Sequence, residues 1–122
     1  MSSNQLVQRM ISMESEIPAE KIRKGNLEKH EYQQLTSKID LLREAKIFID
    51  DTPGMNIFEL RSKCRKLKQK HDISMIIIDY LQLMSGTNEG KGGGNREQEI
   101  SQISRSLKGL AKELQVPVIA LS

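Results

Sequence analysis

Two apolar runs without alternation, "MIII" at 75–78 and "VPVIAL" at 116–121, constrain this chain more than any other feature. A strand with one wet face alternates apolar and polar residues. An unbroken run is what a strand covered on both faces of a parallel sheet requires. Parallel neighbours cannot be joined by a tight turn and need a crossover. The stretch between the runs supplies one: behind a cap pair at Asn95 and Gln98, Ile100, Ile103, Leu107, Leu110 and Leu114 step by three and four. A third short run, Ile47 to Ile49 in "KIFIDDTPG", stops at Asp50-Asp51 and the turn residues Thr52-Pro53-Gly54. Asn56 and Glu59 then open a helix whose stripe is Ile57, Leu60, Cys64 and Leu67. From residue 46 the expected order is strand, helix, strand, helix, strand, an α/β arrangement on a parallel sheet.

Residues 1–45 read as helical. Ser2 and Gln5 have the spacing of a capping box, Leu6, Val7, Met10, Met13 and Ile17 give an apolar side up to Pro18, and Tyr32, Leu35, Ile39 and Leu42 mark a second helix. The first helix opens at the first residues, the last strand closes at the last ones, and three strands alone leave apolar edges bare. The expectation is therefore a partial parallel sheet flanked by helices. The whole of 1–122 is then an internal segment of one larger domain, with a helical part at 1–45 and the sheet part at 46–122.

Composition narrows the function classes. The 122 residues are 37% hydrophobic and 29% charged, a globular balance, and no apolar run approaches the roughly 20 residues that span a bilayer. One cysteine, Cys64, makes no internal disulfide and suits a reducing cytoplasm; its place on an apolar stripe points to packing. His30 and His71 lie far apart with no cysteine cluster, which argues against a metal site built on them. A net charge of +3 permits a polyanionic partner without demanding one, and 3% aromatics rule against a base-stacking platform.

The glycine-rich stretch "MSGTNEGKGGGN" at 84–95 invites comparison with a phosphate cradle. A P-loop needs G-x-x-x-x-G-K-[ST] between strand and helix, so that backbone N–H groups wrap the phosphates and the hydroxyl holds magnesium. Gly86 and Gly90 are one residue too close, and Gly92 stands where the hydroxyl belongs. The dinucleotide pattern G-x-G-x-x-G is not met either. The residue with chemistry is Asp79, which ends the apolar run at the carboxyl edge of a strand, where ligands of α/β sheets bind. Hydrophobes followed by Asp form the Walker B arrangement, in which a hard carboxylate orients magnesium, usually through water. The same pattern also ends ordinary strands, and on the pattern alone that plainer reading has the better odds.

The plainer reading also serves elsewhere. Arg61, Lys63, Arg65, Lys66, Lys68 and Lys70 fit a solvated or subunit-facing side of a helix. Asp50 and Asp51 fit turn initiation, and Glu97 and Glu99 fit the positive end of a helix.

"IFIDDTPG", "IIIDYLQLMSG", "NREQEISQISRSLKGLAKEL" and "VPVIALS", in that order and spacing, closely resemble the RecA-like ATPase domain of the DnaB family of bacterial replicative helicases. The resemblance is dense over 46–54 and 75–122 and looser over 1–45. It implies a homohexameric ring that hydrolyses ATP with Mg2+ and moves along single-stranded DNA at the replication fork, with primase and a helicase loader as partners. Asp79 matches the Walker B aspartate. Residues 85–95 occupy the place of a loop facing the DNA channel, with Lys91 and Arg96 as candidates for backbone phosphate contact. The resemblance places the P-loop and the catalytic glutamate before Met1, the glutamate immediately before it, and the phosphate-sensing glutamine after Ser122. The isolated segment is accordingly expected to lack ATP hydrolysis.

Two other classes compete. A phosphoacceptor receiver domain also sets an acidic pair, an acceptor Asp and a Ser after successive strands, which "FIDD", "IIIDY" and "VIALS" mimic. Its acidic pair and acceptor are separated by two crossovers, whereas the interval from Asp51 to Asp79 holds about one unit of ~30 residues. A non-catalytic oligomerisation or DNA-binding module is the third class, and its mild charge predicts weak binding.

Overall fold

The computed structural model describes residues 1–81, 84 and 96–122. It divides into two compact units, Met1–Asp51 and Thr52–Ser122.

The first unit is helical. In α1 (Ser3–Ser15) the expected capping box is formed: Ser2 Oγ accepts the Gln5 N–H, and Gln5 Oε1 accepts the Ser2 N–H. The helix stops at Glu16 in the left-handed region, before Pro18. A short α2 (Ala19–Lys24), unforeseen in the pattern, is closed by Gly25 at φ +68°, a conformation that favours glycine. α3 (Lys29–Glu44) opens on a second box between Glu28 and Glu31. α1 packs on α3. There Ser15 is fully buried, its carbonyl accepting from the Gln34 amide and its hydroxyl donating to Ile11 O at 2.6 Å. The apolar side expected for α1 is only partly used, since Leu6, Val7 and Met13 remain exposed; on α3, Leu35 is buried and Tyr32 is not.

The second unit holds the sheet. α4 (Ile57–His71) starts where Asn56 accepts the Glu59 N–H at 2.9 Å. It is followed by β1 (Ile76–Asp79), α5 (Arg96–Leu114) and β2 (Val118–Leu121). β1 and β2 pair in parallel, with Ile76 opposite Val118 and Asp79 opposite Leu121. The predicted stripes of both helices face inward. Ile57, Ile103 and Leu107 join Leu81 and Met84 in one buried cluster; Cys64 and Leu110 join Ile76 and Val116 in a second. Cys64 is core packing, as its stripe position implied.

Two expectations are corrected. Residues 47–49 form no strand in the sheet of the described residues: Ile47 donates its N–H to Ala45 O at 3.0 Å, and Ile47 and Phe48 stay exposed. The sheet of the described residues has two strands, not three. Nor do the described residues cover the apolar runs on both faces. Ile76, Ile78 and Val118 pack against the helix clusters, while Ile77 is 63% exposed and Ile119 and Leu121 remain open on the opposite face. The period-two geometry of a strand sends neighbours to opposite faces, and α4 and α5 line one of them.

Candidate functional site at the carboxyl edge of the sheet

Because β1 and β2 run in parallel, both carboxyl ends reach the same edge, and Asp79 is the last residue of β1 there. It alternates with Ile78, so its side chain stands on the open face with Ile77, and it is exposed. The Asp79–Tyr80 peptide bond is cis. Tyr80 is exposed, and the chain then turns back into the core through Leu81 and Met84, whose N–H donates to Leu81 O at 3.1 Å. The strand before Asp79 and the residues after it are thus anchored in apolar clusters, while the carboxylate stays accessible. A single exposed carboxylate is a suitable partner for magnesium, which keeps several waters and takes only one or two protein carboxylates.

Lys91 and the rest of 85–95 lie outside the described residues, as do Gln82 and the cap residue Asn95. Arg96 is the first residue of α5 and is already engaged. Its Nη1 meets Glu99 Oε2 at 2.7 Å, and its Nη2 donates to Met84 O at 3.2 Å. Glu97 and Glu99 stand in the first turn of α5, the place that favours acids.

Three of the six lysines and arginines of α4 are committed to local ties. Arg65 makes a two-pronged contact with Glu113 of α5, at 3.1 and 2.6 Å. That hydrogen bonding holds the Glu113 carboxyl below its ordinary value, with the nearby charges of Arg65 and Arg61 adding, and it raises Arg65 in turn. Lys68 reaches Asp72 at 2.6 Å at the end of the helix, and Lys63 reaches Thr52 at 3.2 Å.

Asp51 has a role the sequence did not suggest. Its carboxylate accepts the backbone N–H of Ser3 at 2.8 Å, 48 residues away, and that bond holds its pKa down. The signal available was the lack of any acid in the first turn of α1. Glu28, His30 and Glu31 bring possible ligand atoms within 4.8 Å of one another. However, Glu31 is occupied by the Glu28 N–H and by Lys21, both at 3.3 Å, so the group is a helix cap with its counter-ion. No helix among the described residues is long and apolar enough to cross a membrane.

The family model for the DnaB-like helicase C-terminal domain matches residues 1–122. The chain is 51% identical over 122 residues to replicative DNA helicase DnaC of Bacillus subtilis and, over the same length, to replicative DNA helicase DnaB of Geobacillus stearothermophilus. In each case all of this chain and 26% of the relative are covered, so it spans about a quarter of their length. The solved structure of a DnaB-like replicative helicase, studied with its primase interactions, superposes with a TM-score of 0.88 at 34% identity, over 100% of this chain and 29% of the other. These matches bear out the RecA-like α/β fold and do not favour the receiver or the autonomous module.

Proposed function

Because this chain belongs to the DnaB-like helicase C-terminal domain family, we propose that it is the part of a replicative DNA helicase motor that carries the Walker B carboxylate. The observation that carries this reading is the position of Asp79, exposed at the carboxyl edge of a parallel strand whose flanks are buried on both sides in sequence. In the full-length protein Asp79 would be the carboxylate that holds Mg2+, and the metal would supply charge neutralisation at the phosphates of ATP. Asp79 contributes a fixed negative charge whose direction is set by the β1 ladder. These 122 residues contain no P-loop pattern, so hydrolysis belongs to the full-length protein.

That protein works in the cytoplasm as a homohexameric ring on single-stranded DNA at the replication fork, with primase and a loader as partners. Lys91, within the channel-facing loop at 85–95, and Arg96, directly after it, are the phosphate contacts.

Replacing Asp79 with Asn in the full-length protein tests the central assignment. The exposed amide leaves the fold intact, while ATP turnover falls by roughly 100-fold or more, the scale on which a positioned catalytic charge acts. Unchanged turnover in a folded Asp79→Asn protein would remove Asp79 from the site. Lys91→Ala tests the DNA contact separately: single-strand affinity falls, and the slope of log affinity against log salt drops by about one.

A further inference from the structure

α1 differs from the other four helices in how its positive end is met. α2 has Glu20 in its first turn, α3 has Glu31, α4 has Glu59, and α5 has Glu97 and Glu99. α1 has no acid there. Its own box satisfies two donors, with Ser2 N–H going to Gln5 Oε1 at 3.1 Å and Gln5 N–H to Ser2 Oγ at 3.3 Å. The N–H of Ser3 lies between them and belongs to the donors a helix leaves without an internal partner. It is taken by Asp51 Oδ2 at 2.8 Å.

Asp51 ends the stretch that leaves α3, in which Ile47 donates its N–H to Ala45 O at 3.0 Å. The carboxylate does two things at once: it completes the cap of α1 and gives this stretch a fixed point.

We propose that Asp51 is a latch, a helix cap supplied from 48 residues away, that holds the segment 46–51 against the amino end of α1 so that the two move as one piece. The tie lies wholly within the first unit. It is independent of the assignment of Asp79 and stands or falls without it.

The test is hydrogen–deuterium exchange on the full-length protein, read in peptides covering 3–8 and 46–51. Asp51→Ala removes the acceptor and is expected to speed exchange in both segments by about fivefold, the usual consequence of losing a helix cap. Ser3→Pro removes the donor instead. Proline suits the first helical position, and the residue before it, Ser2 at φ −76° and ψ 161°, already has the extended backbone that proline requires. Ser3→Pro is therefore expected to keep α1 helical yet loosen 46–51 as Asp51→Ala does, with the double variant no looser than either single one. Exchange at 46–51 that is unchanged in Ser3→Pro, or that adds up in the double variant, overturns the latch. If Asp51→Ala does not fold, Ser3→Pro decides alone.

Discussion

The two units of this chain are held together by different physics. Met1–Asp51 buries two hydrophobic side chains, Ile17 and Leu35, and relies on polar ties: two capping boxes, the Gln34 bond to Ser15, the Lys21–Glu31 pair and the Asp51 tie to Ser3. Thr52–Ser122 buries both apolar clusters and places its polar ties on the outside. The difference suits the positions of the proposed chemistry. Asp79 projects from the unit with the denser core, where a strand can hold a carboxylate in a fixed direction without burying it.

The sharpest way to break this comparison is to open a cavity in each unit. Leu110 is 2% exposed and sits in the cluster beneath β1 and β2. Leu110→Ala is expected to cost about 3 kcal/mol, and Leu35→Ala, at a less enclosed site, about 2 kcal/mol. Denaturant unfolding of the full-length protein, followed by exchange at peptides from each unit, measures both. Equal losses would mean that the first unit depends on apolar burial as much as the second does.

Glycine substitutions give smaller effects of opposite sign. Gly25 closes α2 at φ +68°, so Gly25→Ala strains the first unit by about 1 kcal/mol although space is open around it. Gly109 lies inside α5 with open space at its Cβ position and no left-handed backbone. Gly109→Ala is expected to stabilise the second unit by about 0.8 kcal/mol. Thermal melts of the two variants test the signs directly.

What was legible in the sequence follows the same divide. The stripes of α4 and α5 and the β1-α5-β2 crossover were readable because a dense core imposes its period on the sequence. So was Asp79 at a strand's carboxyl end. Residues 47–49 and Ile77 differ from expectation among the described residues because β propensity does not say whether a run joins the sheet, and an apolar run does not reveal which face these residues cover. Asp51 was read as turn chemistry because its partner is 48 residues away, and no local pattern encodes a long-range cap.

Acid titration sharpens the comparison last and most gently. Two carboxylates of the first unit are held below their ordinary values: Asp51, chiefly by the Ser3 N–H, and Glu31, chiefly by the Glu28 N–H with Lys21 adding. In the second unit Glu113 is held down, chiefly by Arg65. A carboxylate with a lowered folded pKa contributes stability above its unfolded value, and loses it as pH falls through the folded one. The unfolded references are 3.8 for Asp51 and 4.5 for the two glutamates, so the window opens below these values and neutral pH leaves every tie intact. Protonation there removes caps from α1 and α3, on which the first unit depends, but only a surface pair between α4 and α5, beneath which the apolar clusters persist. Exchange in peptides from residues 3–44 is therefore expected to rise as the pH drops through that window, before it rises in peptides from 57–71 and 96–114. Asp51→Asn, which keeps an acceptor and cannot titrate, should flatten the response at residues 3–8 alone. A simultaneous rise across both units would mean that they share one cooperative transition, and that the division between polar ties and apolar core does not govern their stability.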